Sequence, residues 1–538
     1  MRTRSLSRAV AAGTAVVLAT LAACSSGGGA PSGDPAAPTR GGTLVVAKNT
    51  LPTCLDPSIS VTGNDPGRQT VDTLVDQDQK TGEIVPWLAT KWTESPDGLT
   101  YTFTLRDGVT FSNGEPFTAA AVKAGMDDAV GFAKKYGQPS SAGNFLTAYA
   151  SSSVIDDRTV QITLKKPSAS FLQLLSDRTM GIIAPSSLGG SYADRCSKGV
   201  IGTGPFTITE NVKNDHITVV RRPGYAWPSP NSTHGDEAYL DAIRFVEIPE
   251  ASVQTQGLLS KNVDVIVDPA AADIPQLEAT GVKINTNNSE GVPSSIFPNL
   301  TRAPMTDPAV RDALQIGIDR EEILAGAFNK FTPQVTSALT PGVPGYVDLS
   351  SKLKYDPDRA ARILDDAGWV MGADGVRAKD GQRLKVIYEW YFAPVQSAVL
   401  LVQAQLKKLG FDIELKRVTL DQIAAEGKGG DWDLRMTGRP RPDADAFFAH
   451  YGAASLFTSF TADNSADLQA LLTKQTSETD VAARKATIGQ IQNLIVDDGY
   501  GFPLNVTVRY GASAPNVSGV KFIYSGYLSF YDTTKSAK

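Results

Sequence analysis

The chain has 538 residues, of which 41% are hydrophobic, 8% aromatic and 20% charged, so it contains enough apolar side chains for a folded core. At about 150 residues per domain, this length suggests about three domains or lobes. The 57 Asp and Glu residues outnumber the 51 Lys and Arg residues, for a net charge of −6, which argues against a nucleic-acid-binding protein.

Residues 1–23 have the features of a bacterial lipoprotein signal peptide. A basic segment with Arg2, Arg4 and Arg8 precedes the weakly apolar stretch Ala9–Ala23, which is too short to span a membrane. The stretch ends in Leu21-Ala22-Ala23-Cys24, which resembles a lipobox, where the Cys24 thiol receives diacylglycerol. Two acyl chains are enough to hold a folded domain on a bilayer. The alternative is an ordinary signal peptide with a chance cysteine.

Residues 24–41 are rich in Gly, Ser, Pro and Ala, a composition that predicts a flexible tether. Fully extended, such a segment reaches about 60 Å. Export would leave the other two cysteines, Cys54 and Cys196, in an oxidising compartment. We therefore expect them to form a disulfide, with two buried free thiols as the alternative.

After the tether, apolar patterns predict intermixed strands and helices. β-branched runs and period-two alternation predict strands at 42–47, 99–105, 109–111, 160–164, 206–209, 384–388 and 411–415. Helices are expected after Thr118, Asp307 and Asp356, each of which can cap a helix N-terminus. A further helical stripe, Ala398 to Leu409, ends at Gly410. This mixture predicts the α/β class in more than one lobe.

The sequence lacks the common motifs of enzymes: a G-x-S-x-G elbow, an H-E-x-x-H pair and a G-x-x-x-x-G-K-[ST] phosphate loop. The segment Gly202-Thr203-Gly204-Pro205 mimics a dinucleotide fingerprint, but Pro205 and the absence of a third Gly favour a tight turn. His216, His234 and His450 have no second His at helical spacing, so we expect no metal and no cofactor. A two-carboxylate hydrolase is unsupported, although abundant acids leave it open.

Five sequence blocks occur in a familiar order: Leu55–Pro57; Val85–Ala89 with Asp97–Phe111; Gly202–Phe206; Met305–Leu314 with Ile318–Arg320; and Tyr355–Pro357 with Leu364 and Ala367-Gly368. Together they resemble the family 5 extracellular solute-binding proteins, the oligopeptide, dipeptide and nickel-complex receptors of bacterial ABC importers. The resemblance runs from about Gly42 to Leu504. It implies an α/β, bilobal, periplasmic-binding-protein-like clamshell with an extra inserted subdomain, three subdomains in all, which encloses its ligand by hinge closure.

The resemblance also implies a domain layout. Lobe I comprises 42–85, 200–295 and 506–538, the inserted subdomain covers 86–199, and lobe II covers 296–505. In this layout Cys54 and Cys196 flank the inserted subdomain, which favours the disulfide.

Peptide receptors of this family anchor the ligand's amino group with an Asp that follows a D-x-D strand of the second lobe. Here Asp431-Trp432-Asp433 takes the place of that strand, and the implied anchor is Asp443, with Asp445 second. Arg439 and Arg441 depart from the family pattern. They bind an acidic end of the ligand, or they pair with the two acids and remove the amine anchor.

Other implied ligand contacts lie near the ends of predicted strands. Trp390 and Tyr391 follow the strand at 384–388 and could stack on a ligand, or one of them is a core residue. The first lobe is expected to contact the ligand near Thr62 and Asn64, and the crossover into the second lobe near Phe297 and Asn299.

We therefore expect a lipid-anchored, monomeric receptor on the outer face of the bacterial cell membrane, without catalytic activity. It would bind a short peptide or peptide-like solute and deliver it to ABC permease membrane subunits with cytoplasmic ATPases. A metal chelate or anionic metabolite, bound through Arg439 and Arg441, is the alternative ligand. A receptor that signals without transport, or a surface hydrolase of peptides or glycans, would be a different class of protein.

Overall fold

The computed structural model describes residues 39–537, apart from 60–63, 392–394, 427–429, 442, 456–457, 459, 461–463 and 525, and apart from the side chains of 424, 439 and 440. The expectations for residues 1–38, which include the signal peptide, Cys24 and most of the tether, lie outside the described residues. Those for Thr62 and for the side chain of Arg439 do so as well.

The strands of the described residues are β1 (Thr43–Lys48), β2 (Val75–Gln77), β3 (Ile84–Pro86), β4 (Ala89–Glu94), β5 (Thr100–Leu105), β6 (Tyr149–Asp156), β7 (Thr159–Leu164), β8 (Phe206–Val212), β9 (His216–Arg221), β10 (Ala242–Glu247), β11 (Val265–Val267), β12 (Lys283–Asn288), β13 (Gly291–Pro298), β14 (Val370–Met371), β15 (Arg377–Lys379), β16 (Gln382–Arg383), β17 (Lys385–Trp390), β18 (Asp412–Arg417), β19 (Leu434–Pro440), β20 (Phe502–Asn505), β21 (Val508–Ser513), β22 (Val517–Ser518), β23 (Lys521–Phe522), β24 (Leu528–Ser529) and β25 (Thr534–Lys535).

The α-helices of the same residues are α1 (Asp65–Arg68), α2 (Ala119–Tyr136), α3 (Ser141–Phe145), α4 (Phe171–Ser176), α5 (Pro185–Leu188), α6 (Tyr192–Lys198), α7 (Ala251–Leu259), α8 (Ile274–Ala279), α9 (Pro308–Gly317), α10 (Arg320–Ala327), α11 (Pro357–Asp366), α12 (Gln396–Lys408), α13 (Leu420–Glu426), α14 (Asp445–Tyr451), α15 (Ala466–Ser477) and α16 (Val481–Asp497). Short 3₁₀ turns occur at Arg178–Met180, Ala271–Asp273 and Ser350–Leu353.

Three sheets organise the chain. A seven-stranded sheet has the order β12-β21-β11-β1-β10-β9-β8, with β1 parallel to both β10 and β11. A five-stranded sheet has the order β18-β17-β19-β13-β20, with β17 parallel to both β18 and β19. The third sheet, β4-β5-β7-β6, is antiparallel. The expected α/β class is confirmed.

The buried apolar side chains form separate cores. One cluster draws its residues from 44–284 and 512–531 and joins the seven-stranded and four-stranded sheets. Two further clusters lie wholly within 292–504, around the five-stranded sheet and its helices. The chain segments near 288 and 506 therefore connect the first core to the other two.

The predicted helix starts are confirmed at atomic level. The side chains of Thr118, Asp307 and Asp356 accept hydrogen bonds from backbone N–H groups in the first turns of α2, α9 and α11. Pro occupies the first helical position of α9 and α11, where a missing N–H costs no hydrogen bond. Gly410 follows α12 with a φ of +90°, a left-handed conformation that Gly adopts without strain.

The structure corrects three strand predictions. Residues 109–111 form a single bridge, Thr110 to Pro116, because the chain turns back at once: the Phe111 N–H donates to the Glu115 carbonyl at 2.8 Å and the Phe117 N–H to the Val109 carbonyl at 3.1 Å. Strand β17 extends through Trp390, which the sequence placed after the strand. Strand β19 begins after the D-x-D segment rather than within it.

Candidate functional site

The parallel strands of both large sheets end at charged or aromatic residues. In the seven-stranded sheet, β1 ends at Lys48 and Asp268 directly follows β11. In the five-stranded sheet, β17 ends at Trp390 and Arg441 directly follows β19. In open α/β sheets, ligands bind outside the carboxyl ends of the strands, so these two edges are the first place to look for a ligand site.

Two chain crossings connect the seven-stranded and five-stranded sheets, between β12 and β13 and between β20 and β21. Polar contacts also join the two sides. The Tyr510 hydroxyl donates to Asn329 Oδ1 at 3.1 Å, and the Lys330 ammonium lies 2.8 Å from Glu278. Short crossings bridged by polar contacts are the features of a hinge that can open and close.

Arg441 and Asp445 line a groove of about 210 Å³ between helices α14 and α15 and the segment 144–174. The two side chains pair at 3.0 Å, and the Arg441 guanidinium lies 5.4 Å from the Phe145 ring centroid. Burial raises the pKa of Asp445 to about 6, against the opposing charge of Arg441. Beside the groove, the Ala169 N–H donates to the Thr476 carbonyl at 2.9 Å. This bond joins the segment 144–174 to helix α15.

Asp443, the residue implied as the amine anchor, is instead part of a buried ion pair. Its Oδ1 accepts from Arg484 Nη2 at 2.5 Å and from the Asp445 N–H at 2.7 Å, and its Oδ2 accepts from Arg484 Nη1 at 3.0 Å. Arg484 lies on α16 and was missed by sequence analysis, which considered only Arg439 and Arg441 as partners. No local pattern connects residues 41 positions apart, so only the fold reveals this pair.

Trp390 is largely buried within the lobe II core, whereas Tyr391 lies at the strand end with its hydroxyl 3.4 Å from Thr437 Oγ1. The neighbouring Glu389 is fully buried and accepts from Arg435, also fully buried, at 2.8 Å. This pair, which the sequence did not indicate, fixes the end of β17. A ligand contact by Trp390 or Tyr391 remains a prediction.

Three other predicted contact residues have structural roles. Phe297 is fully buried against the His450 and Tyr451 rings. Asn299 is fully buried, donating to the Trp432 carbonyl and accepting from the Thr301 N–H. Asn64, also fully buried, caps α1 through a bond from the Gly67 N–H at 2.9 Å. A ligand contact by any of these three residues remains a prediction.

The expected disulfide joins Cys54 and Cys196. Beside it, Arg195 donates to Asp56 at 2.6 Å and to Asp128 at 2.7 Å, all three side chains being nearly or fully buried. These bonds fix the segment that precedes the candidate contact region at 62–64.

Two properties of the described residues bear on the class of protein. None of the helices in this part of the chain is long and apolar enough to cross a membrane. Within the same residues, no cluster of three or more His, Cys, Asp or Glu side chains could hold a metal ion.

Comparison with known proteins identifies relatives over most of the chain. Residues 83–457 match the model of the bacterial extracellular solute-binding proteins, family 5 Middle. The chain is 28% identical over 461 residues to the nickel-binding periplasmic protein of Escherichia coli (strain K12), covering 82% of this chain and 85% of that protein. It is 27% identical over 469 residues to the glutathione-binding protein GsiB of the same strain, with 83% and 85% covered.

Among solved structures, NikA from Brucella suis in complex with Fe(III)-EDTA superposes with a TM-score of 0.79 at 26% identity, covering 92% of this chain and all of that one. The fold is thus the bilobal clamshell that the sequence blocks implied, and the matched proteins are solute receptors rather than enzymes. The chain belongs to the family 5 bacterial extracellular solute-binding proteins.

Proposed function

We propose that this protein is the extracytoplasmic receptor of an ABC importer and captures a short peptide or peptide-like solute by closing its two lobes. The observation that carries the proposal is the pair of crossings between two sheets whose parallel strands end at polar and aromatic residues. Closure around a solute removes it from water and uses its contacts to hold the lobes together. A permease that recognises the closed form would then accept only the loaded receptor.

A peptide-like ligand is supported by the glutathione-binding relative, because glutathione is a tripeptide. Because Asp443 is paired to Arg484, we propose that the amine anchor of this receptor lies elsewhere than the family pattern implies. Asp445 is available in part, since it shares its charge with Arg441 across the groove.

A metal chelate is the second candidate. The nickel-binding relative and the Fe(III)-EDTA complex of NikA favour it. Because the described residues hold no three-membered metal-ligating cluster, a metal would enter with its own chelator rather than bind directly to side chains. Arginines such as Arg441 suit the carboxylates of such a chelator.

We also propose the rest of the receptor's organisation as the sequence implied it. The signal peptide is removed before Cys24, whose lipid holds the protein on the membrane through the tether of residues 24–41. Lobe I comprises 42–85, 200–295 and 506–538, with 86–199 inserted, and lobe II covers 296–505. The separate apolar cores on either side of the crossings support this division.

Native mass spectrometry of the tether-free protein purified from its own lysate tests the ligand class directly. A retained mass that fragments as a short peptide is the expected result, and a retained metal chelate would move the assignment to the second candidate. Small-angle X-ray scattering before and after ligand removal tests closure, for which the radius of gyration should rise on removal. Turnover of the bound compound would contradict a receptor.

A further inference from the structure

Two arginines converge on one tyrosine ring beside the seven-stranded sheet. The Arg178 guanidinium carbon lies 3.6 Å from the Tyr527 ring centroid, and the Arg509 guanidinium carbon lies 5.8 Å from it. Arg178 is almost fully buried and donates to the Tyr527 hydroxyl at 2.6 Å. Two like charges on one ring repel each other, so such an arrangement is stable only where anions balance it.

The structure supplies acids for that balance. Asp268 accepts from Arg509 Nε at 3.1 Å and from Nη2 at 2.6 Å. Asp65, fully buried, pairs with Lys48 at the end of β1, and although burial opposes ionisation, the Lys48 charge and hydrogen bond hold the pKa of Asp65 below its usual value. Asp177 is occupied by the N–H and hydroxyl of Thr179, each at 2.9 Å.

Arg509 retains unused donors. A guanidinium has five N–H groups in a planar fork, and the two bonds to Asp268 use only the Nε–Nη2 edge. Within the described residues Nη1 donates to no acceptor, and the Arg509 side chain is 26% exposed. Asp268 therefore fixes the orientation of Arg509 and leaves the Nη1 side of the fork able to make two parallel bonds to a planar anion.

The position of this arginine matches the hinge. Arg509 is the second residue of β21, immediately beyond one of the two crossings. The next residue, Tyr510, already contacts Asn329 of the second lobe. Asp268, the acid that pairs with Arg509, follows β11 at the carboxyl edge of the seven-stranded sheet, where ligands of α/β sheets bind.

We infer that Arg509, oriented by Asp268 and grouped with Arg178 around Tyr527, binds a carboxylate of the solute at the hinge side of the cleft. This inference rests on the proposed function, because it assumes a solute between the lobes. It defines the ligand class further: a peptide with a free carboxylate, or a chelate held by carboxylates. A ligand without a carboxylate lacks the planar anion that the Nη1 side of the Arg509 fork matches.

The test uses three probe pools with the full mature chain: di- and tripeptides with free C-termini, the same peptides as C-terminal amides, and the chelates Fe(III)-EDTA and nickel citrate. Binding is measured by native mass spectrometry and by thermal shift. The variant is Arg509→Gln, which removes the charge but keeps a hydrogen-bond donor. Arg383→Gln is the matched control, since Arg383 pairs with Asp374 on an exposed surface with both side chains 52% exposed. Circular dichroism verifies that both variants fold.

The inference is supported if the wild-type chain retains peptide acids or chelates but not the amides. Binding should then be at least tenfold weaker in Arg509→Gln and unchanged in Arg383→Gln. Equal retention of acids and amides, or full binding by Arg509→Gln, overturns the carboxylate site while leaving a solute receptor in place. If the wild-type chain retains none of the three pools, both the inference and the proposed ligand classes fail.

Discussion

The ion pair between Asp443 and Arg484 offers a sharp test of how the candidate site is built. Asp443 is 7% exposed and the Arg484 side chain 14% exposed, so neither charge is well solvated. Replacing Arg484 by Met would leave the Asp443 carboxylate buried without its counter-charge. Loss of one partner of a buried pair costs about 3–5 kcal/mol, so we expect Arg484→Met to lower the free energy of unfolding by that amount.

The double variant Asp443→Asn with Arg484→Met separates charge from packing. Because it removes both charges, it should recover most of the stability that the single variant loses. Urea unfolding at pH 8, followed by intrinsic fluorescence, measures the free energies of the wild type, the two single variants and the double variant. The double-mutant cycle then gives the coupling energy of the pair.

The same variants decide whether Asp443 holds a ligand. Since all described bonds to its carboxylate come from Arg484 and the Asp445 N–H, we expect Asp443→Asn to leave solute affinity within about threefold of wild type. A cost below about 1 kcal/mol for Arg484→Met would place the pair among weak surface bridges and refute the structural reasoning. A folded Asp443→Asn protein that loses ligand binding would restore the amine anchor.

Three further predictions follow from other parts of the chain. Burial raises the pKa of Asp72 to about 7, above its ordinary 3.8, so the folded chain holds a proton that the unfolded chain releases between these values. The free energy of unfolding should therefore fall by about 4 kcal/mol from pH 4 to pH 7, and Asp72→Asn should flatten this fall in urea titrations; an unchanged slope contradicts it. Removing the disulfide by Cys54→Ser with Cys196→Ser should cost about 2–5 kcal/mol by the same assay, and an unchanged midpoint would argue against it. Cys24→Ala should release the protein from membrane fractions, while Ser25→Ala should not, and continued lipid labelling of the Cys24 variant would rule out the anchor.

Local features of the fold were predictable because their causes are local. An acid before Pro gives both the cap and the first turn of α9 and α11, and alternation of apolar residues gives β5 and β7. The strand predicted at 109–111 is reduced to a single bridge because the chain turns back within a few residues, and Arg222, more than 100 residues away, donates to the carbonyls of Thr110 and Phe111.

The features of the candidate site also differ in whether their causes are local. The end of β17 could be found from sequence to within two residues, because a strand and its end are set within a few residues. Charge partners could not be found, because Arg484 lies 41 residues from Asp443 and Arg509 lies 241 residues from Asp268. Sequence therefore indicates which segments reach the cleft, whereas the fold decides which of their charges are already satisfied.

Paired arginines at the cleft solve a problem that any receptor for a charged solute meets. An unpaired guanidinium at a closing interface would lose its hydration with nothing in return, which disfavours closure without ligand. Arg509 beside Asp268 and Arg441 beside Asp445 each keep one carboxylate partner while the remaining N–H groups of the fork stay available. The acid thus fixes the guanidinium in one orientation before the solute arrives, so less conformational entropy is lost on binding. On the proposed division of the lobes, the two pairs belong to different sides of the hinge, so a solute that contacts both would favour the closed form over the open one.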